Sequence, residues 1–212
     1  LILLDTKDDS PNYKDNYAFS AGMFHGEPIG MAMDSFKLAI SELANLSERR
    51  LYRLTTGSLS QLLPPGLVGK DRPGVGMIVP QTTAAALVSE NKALGWPASA
   101  DSIPTCEDQE DHIAMSTVAA RRARTVLENS KRVVAIELLS ASQALNFRIE
   151  EYPERSLGKG VKQALENVQD VLNTLDIPYP TIGDQIEHIT AAIGSSKILK
   201  DLPNLFDVGD EV

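Results

Sequence analysis

Apolar residues fall at helical rather than strand spacing over most of this chain. Phe36, Ile40, Leu43, Leu46, Arg50 and Leu54 recur at three- and four-residue steps, which sets them on one face of a helix. Asp34 and Ser35 offer it an N-cap and Gly57 a stop. A second helix is predicted from near Pro80 to Gly95, rich in Ala and Thr, whose small side chains let neighbouring backbones approach closely. A third runs from about Gln109 to Phe147 without an internal Pro or Gly. At 1.5 Å per residue it is roughly 55 Å long, against a diameter of roughly 45 Å for a compact domain of this size. An elongated bundle completed by partner chains fits that length better than a lone sphere. Val161, Leu165, Val168, Leu172 and Leu175 mark a fourth helix, and Ile182, Ile186, Ile189 and Ile193 a fifth.

The predicted class is therefore all-α, as one domain without internal repeats. Residues 1–33 read as an extended or loop segment, 34–194 as a helical bundle and 195–212 as a weakly ordered acidic tail.

Composition narrows the function. Hydrophobic content of 42% supports a real core, and a net charge of -9 argues against a nucleic-acid partner, which needs a basic stripe. Arg121, Arg122 and Arg124 cluster, but the run is short and reads as a solvated face or an intersubunit contact. Cys106 is the one cysteine, so no intrachain disulfide forms and a reducing compartment is expected. No apolar run approaches the roughly 20 residues of a membrane helix, and LILLDTKDDS is too short and lacks the basic start of a signal peptide. A soluble cytoplasmic protein is expected.

The densest candidate chemistry is the acidic cluster Glu107, Asp108, Glu110 and Asp111, placed by periodicity at the start of the long helix. Acids there complement the positive helix terminus, and on physics alone that is the stronger explanation. The preceding loop, Trp96 to Thr105, could instead hold one acid, Glu110, in a cleft where it moves a proton or binds an amine. His25, His112 and His188 form no metal-ligand spacing, so no metal is expected; His112 reads as a hydrogen-bonding residue of a helical turn and His25 as part of a tight turn. Cys106 has no nameable partner, and burial is the default for a free cysteine. Neither a GxSxG elbow nor a phosphate-binding glycine loop occurs, which removes the hydrolase and nucleotide readings.

Three segments resemble the aromatic amino-acid ammonia-lyases, and within them the histidine ammonia-lyases most. They are SAGMFHGEPIGMAMD from Ser20 to Asp34, ISELANLSERRLYRL from Ile40 to Leu54, and QTTAAALVSENKALGWPASADSIPTCEDQEDHIAM from Gln81 to Met115, continued by ENSKRVVAIELLSASQAL. LGKG, Leu157 to Gly160, matches more loosely. The resemblance implies an L-aspartase/fumarase-like helical region in a homotetramer, with active sites built across chain boundaries. It also implies the electrophilic cofactor methylidene-imidazolone (MIO), which the family forms from Ala-Ser-Gly. This chain starts at Leu1 and lacks that tripeptide, so it is expected to be the C-terminal part of an enzyme whose N-terminal half carries the cofactor.

The implied reaction is elimination of ammonia from L-histidine to give urocanate. By matching position, Glu110 is the implied catalytic residue near the substrate's amino group or side chain. Phe24 is an apolar wall against MIO, and Gln109 a neighbouring amide. Glu at position 110 resembles the histidine lyases, whereas phenylalanine and tyrosine lyases usually carry an amide. Met23 stands where the family has Asn, and Cys106 and Ala114 where it has Ser. These departures leave an aminomutase, another aromatic lyase or a non-catalytic helical scaffold as alternatives.

Overall fold

The computed structural model describes residues 25–70 and 74–202. Among them are five α-helices: α1 (Glu27–Thr55), α2 (Ile78–Leu94), α3 (Ser116–Glu151), α4 (Lys159–Asn173) and α5 (Ile182–Gly194). Short 3-10 turns occupy Pro65–Leu67, Ala98–Ala100 and Lys197–Leu199. The all-α class holds, and one isolated bridge, Thr105 to Glu110, is the strand-like pairing among the described residues.

The long helices α1 and α3 lie side by side and run in the same direction. Gly30 meets Ser116 at one end, Ser47 and Arg50 bond Glu137 further along, and Arg148 donates to the carbonyls of Ser60 and Gln61 at the other end. The second helix runs antiparallel to both, since Gln81 reaches Glu48 near its start while the Trp96 carbonyl just beyond its end takes a hydrogen bond from Lys37. Leu51, Val133 and Ile136 are fully buried where the three pack, each contributing about 1.5–3 kcal/mol of hydrophobic stabilisation. The polar groups at the crossing of α2 and α3 are satisfied internally: Asn91 donates to Ser130, and Asn129 donates to Asn91 and Glu90.

Three expectations are corrected. First, α1 begins at Glu27, not Asp34. Pro28 sits in its first turn, where a missing N–H costs nothing, so the helix runs back into the segment expected to be loop. Second, the middle of the predicted apolar stripe points away from this chain: Leu43 is 59% and Leu46 49% exposed, while Leu54 at its end packs against the core. The buried residues of α1 are instead mostly small or ion-paired, with Asp34, Lys37, Ala44, Ser47, Glu48, Leu51 and Thr55. A hydrophobicity count misses them because five of the seven are charged or carry a hydroxyl. Third, residues 195–202 are docked rather than tail-like. Ile198 is buried, and the Asn167 amide donates to the carbonyls of Ile198 and Lys200, fastening this segment to α4.

A buried ion pair clamps the end of α2 onto α1. Asp34 Oδ1 lies 2.6 Å from Lys37 Nζ, with neither side chain more than 5% exposed. Asp34 Oδ2 accepts from the amide and hydroxyl of Ser99 at 2.8 and 2.7 Å, and Lys37 donates to the Trp96 carbonyl at 2.6 Å. Burial pushes the Asp34 carboxyl up, but the bonds from Lys37 and Ser99 together outweigh it and hold the group at about 2, below its ordinary 3.8.

Removing one member of a buried pair strands the other charge, so Asp34→Asn is expected to cost about 3–5 kcal/mol in denaturant unfolding of the protein. The lowered carboxyl value carries a pH signature as well. Its contribution, about 2 kcal/mol, is complete above roughly pH 4 and is lost as pH falls through 2. Acid titration of stability should therefore show a loss in that window that Asp34→Asn lacks.

Candidate functional site

The chain around Glu110 is built outward from the start of α1. Gly26 caps this helix in a left-handed conformation, φ 90°. A Cβ there would sit 2.8 Å from Ser116 Oγ, the first residue of α3. Gly30, one turn on, lies in ordinary contact distance of Ser116 and Ser99. Two helix N-termini therefore meet at Gly26 and Ser116. Neither has a side-chain cap, so unpaired backbone N–H groups and the positive ends of both helix dipoles converge at one point. Negative charge is favoured there, as it is at other helix N-termini.

The loop between α2 and α3 arches over this point. Its near part is held by the Asp34 and Lys37 clamp on Ser99 and Trp96. Its neck closes where the Ile113 amide donates to Ser102 Oγ. Its tip is a tight turn in which the Gln109 amide donates to the Cys106 carbonyl. Thr105 and Glu110 exchange backbone hydrogen bonds at 3.0 and 3.3 Å, and the Thr105 hydroxyl donates to Glu110 Oε2 at 2.9 Å. Cys106, Glu107 and Asp108 all have left-handed φ, between 54° and 65°, which costs roughly 1–2 kcal/mol per residue for side chains bearing a Cβ.

This geometry revises the reading of the acidic cluster. Glu107, Asp108, Glu110 and Asp111 lie in the turn, ahead of Ser116, and all are exposed. Interaction with a helix dipole fades beyond the first turn, so helix-terminus complementarity no longer explains them. Cys106 is exposed rather than buried, carried out on the same turn. His112 is not in a helical turn; it precedes α3, and its carbonyl accepts a hydrogen bond from His25 Nε2 at 2.9 Å. The two imidazoles stack with centroids 5.1 Å apart and planes 7° from parallel.

Of the three predicted site residues, Gln109 and Glu110 are neighbours on this exposed loop, and Phe24 lies outside the described residues. Neither Gln109 nor Glu110 lines the main clefts formed by the described residues. A cleft of about 740 Å³ is lined by Met77, Leu139, Gln143 and Phe147 among others, and begins roughly 35 Å along α3 from Ser116. No group of three or more His, Cys, Asp or Glu suited to a metal occurs among the described residues. No described helix is long and apolar enough to cross a membrane. Sequence reasoning missed the Asp34 clamp, although its acid and base at i and i+3 were visible. It also missed the contact between His25 and His112, for which residues 87 apart give no local signal.

The sequence pattern described as aromatic amino acid lyase matches residues 2–170. Histidine ammonia-lyase of Caldanaerobacter subterraneus subsp. tengcongensis is 50% identical over 161 residues, 76% of this chain and 31% of that protein. The crystal structure of histidine ammonia-lyase from Trypanosoma cruzi aligns with a TM-score of 0.75 at 38% identity, over 85% of this chain and 34% of that one. Tyrosine aminomutase from Streptomyces globisporus aligns with a TM-score of 0.72 at 36% identity, over 83% of this chain and 33% of that one. The chain spans about a third of the length of the curated relatives it matches.

At Gly26 the left-handed cap and the approach of Ser116 both oppose a side chain. Gly26→Ala is expected to destabilise the protein by about 1–2 kcal/mol from its φ alone. A thermal or denaturant melt that matches the parent would show that the junction of α1 and α3 is not set by this residue.

Proposed function

Because the chain belongs to the aromatic amino acid lyase family, we propose that it forms the Glu110-bearing part of an enzyme that eliminates ammonia from L-histidine to give urocanate. The observation that carries this reading is the exposed carboxylate of Glu110, tied to a turn beside two uncapped helix N-termini. Similarity to histidine ammonia-lyases across most of the chain supports the same choice of substrate.

The residues of this chain fit a site shared with an MIO electrophile held by another part of the protein. Glu110 Oε2 accepts from Thr105, and no described group bonds Oε1, so an acceptor faces outward for a substrate ammonium or imidazole. MIO supplies the electrophile that turns the amino group into a leaving group. Glu110 binds the cationic end of the substrate and takes up or returns a proton there, a role suited to an ionised carboxylate. Gln109 adds a neutral amide beside it, and Phe24 an apolar wall. The converging N-termini of α1 and α3 stabilise negative charge that develops nearby, without reorganisation at the moment of reaction. Overall, L-histidine loses its amino group from Cα and one proton from Cβ, giving urocanate and ammonium.

Large side chains exposed on α1, including Ile29, Leu43 and Leu46, support a homotetramer in which this helix packs against other subunits. Such burial completes sites across chain boundaries and excludes water from Glu110. Cys106, exposed and unpaired, suits a reducing cytoplasm.

An aminomutase remains the second reading, favoured by the alignment with tyrosine aminomutase. One experiment separates the two. The complete protein, or this chain combined with a family N-terminal half, is incubated with L-histidine and with L-tyrosine. Urocanate absorbance and β-amino acid are then followed. Urocanate from histidine is expected, and Glu110→Ala should lower kcat/KM at least ~100-fold. β-Tyrosine without urocanate would establish the mutase reading, and full activity in Glu110→Ala would remove that residue from the site.

A further inference from the structure

We propose that His25 is a positioning residue that acts through Glu110: its Nε2–H donates to the His112 carbonyl and fastens the Glu110 turn over the start of α1. This rests on the catalytic reading of Glu110 given above.

The hydrogen bonds of the loop single His25 out. Between residues 101 and 115, three ties are internal: Thr105 with Glu110, Gln109 to Cys106, and Ile113 to Ser102. Asp101 bonds Ala98 within the same connection, and Met115 and Ala114 serve the start of α3. Among the described residues, the bond from His25 is the one hydrogen bond that joins residues 101–113, beyond the Ser99 and Trp96 clamp, to a different part of the chain. A carbonyl oxygen can only accept, so His25 must carry its proton on Nε2 in the neutral ring. The stacked His112 ring, 5.1 Å away and nearly parallel, fixes the plane of the donor.

The turn needs such a tether. Every residue from Asp101 to His112 is exposed in this chain, so packing against its own described residues does not hold it. Its tip strings together three left-handed residues, Cys106, Glu107 and Asp108, at φ 54°, 56° and 65°. A conformation of that kind persists only where the surroundings over-determine it. Here the surroundings amount to the pairing of Thr105 with Glu110 and the bond two residues later at His112. His25 also immediately precedes Gly26, whose rigid cap joins α1 to α3. The imidazole thus relates the Glu110 carboxylate to the helix N-termini, and a misplacement near 1 Å can cost ~100-fold in rate.

Three variants of the complete protein test this: His25→Phe, which keeps a flat ring but no donor, His25→Gln, which keeps a donor, and His25→Phe combined with Glu110→Ala. Hydrogen–deuterium exchange of residues 101–115 reads the tether without reference to activity. In His25→Phe the amides of Thr105 and Glu110 should exchange at least ~10-fold faster, with α1 and α3 unchanged. The same variant should lower kcat/KM ~10- to 100-fold, and His25→Gln should recover most of it. In the Glu110→Ala background His25→Phe should have no further effect, because the two act as one unit. Unchanged exchange in His25→Phe overturns the tether. Losses that multiply in the double variant overturn action through Glu110. Full activity in Glu110→Ala alone overturns the catalytic reading itself, and with it this role for His25.

Discussion

The parallel contact between α1 and α3 is the constraint on which the rest of this structure depends. It is made where small or ion-paired side chains let two long helices approach closely, from Gly30 beside Ser116 to Ser47 and Arg50 on Glu137. Two helices that run in the same direction bring like ends together. The consequence at one end is a junction of uncapped N-termini with positive potential. An antiparallel pair would separate the two N-termini and cancel that potential.

Polar interactions carry an unusual share of the packing of α1. Asp34 and Lys37 are buried, as is Glu48, whose carboxyl burial pushes up while bonds from Arg49 and Gln81 hold it down. The pair that bridges α1 and α3, Arg50 with Glu137, adds little net stability, but it fixes register because a slipped helix would leave both charges unpaired. Register matters here more than total stability. A shift of one residue between α1 and α3 would move Gly26 away from Ser116, and with it the loop that carries Glu110.

The sequence was informative to different degrees about these features. Helix existence and class were legible, since Leu165, Val168 and Leu172, or Ile186, Ile189 and Ile193, repeat at helical steps and pack into the core. The buried face of α1 was not, because periodicity of large apolar residues marks the face that leaves the chain, Leu43 and Leu46 among them. The start of α3 was placed early: residues 109–115 contain no Pro or Gly, and nothing local reveals that Thr105 and Glu110 pair across a turn. Glu110 itself was singled out by resemblance, while its chemical neighbourhood came from long-range contacts such as His25 with His112. The lesson is physical. Local spacing reports on elements, whereas a site composed of two helix ends and an arched loop exists only once distant segments meet.

The central claim is that the turn carrying Glu110 faces the amino-acid substrate in the assembled enzyme. A crystal structure of the complete protein with a non-reacting histidine analogue tests it most directly. The Glu110 carboxylate is predicted within hydrogen-bond reach, roughly 2.6–3.2 Å, of the analogue's amine or imidazole, or joined to it by one water. A Glu110 side chain facing solvent, with the analogue bound at a different part of the protein, would contradict the claim.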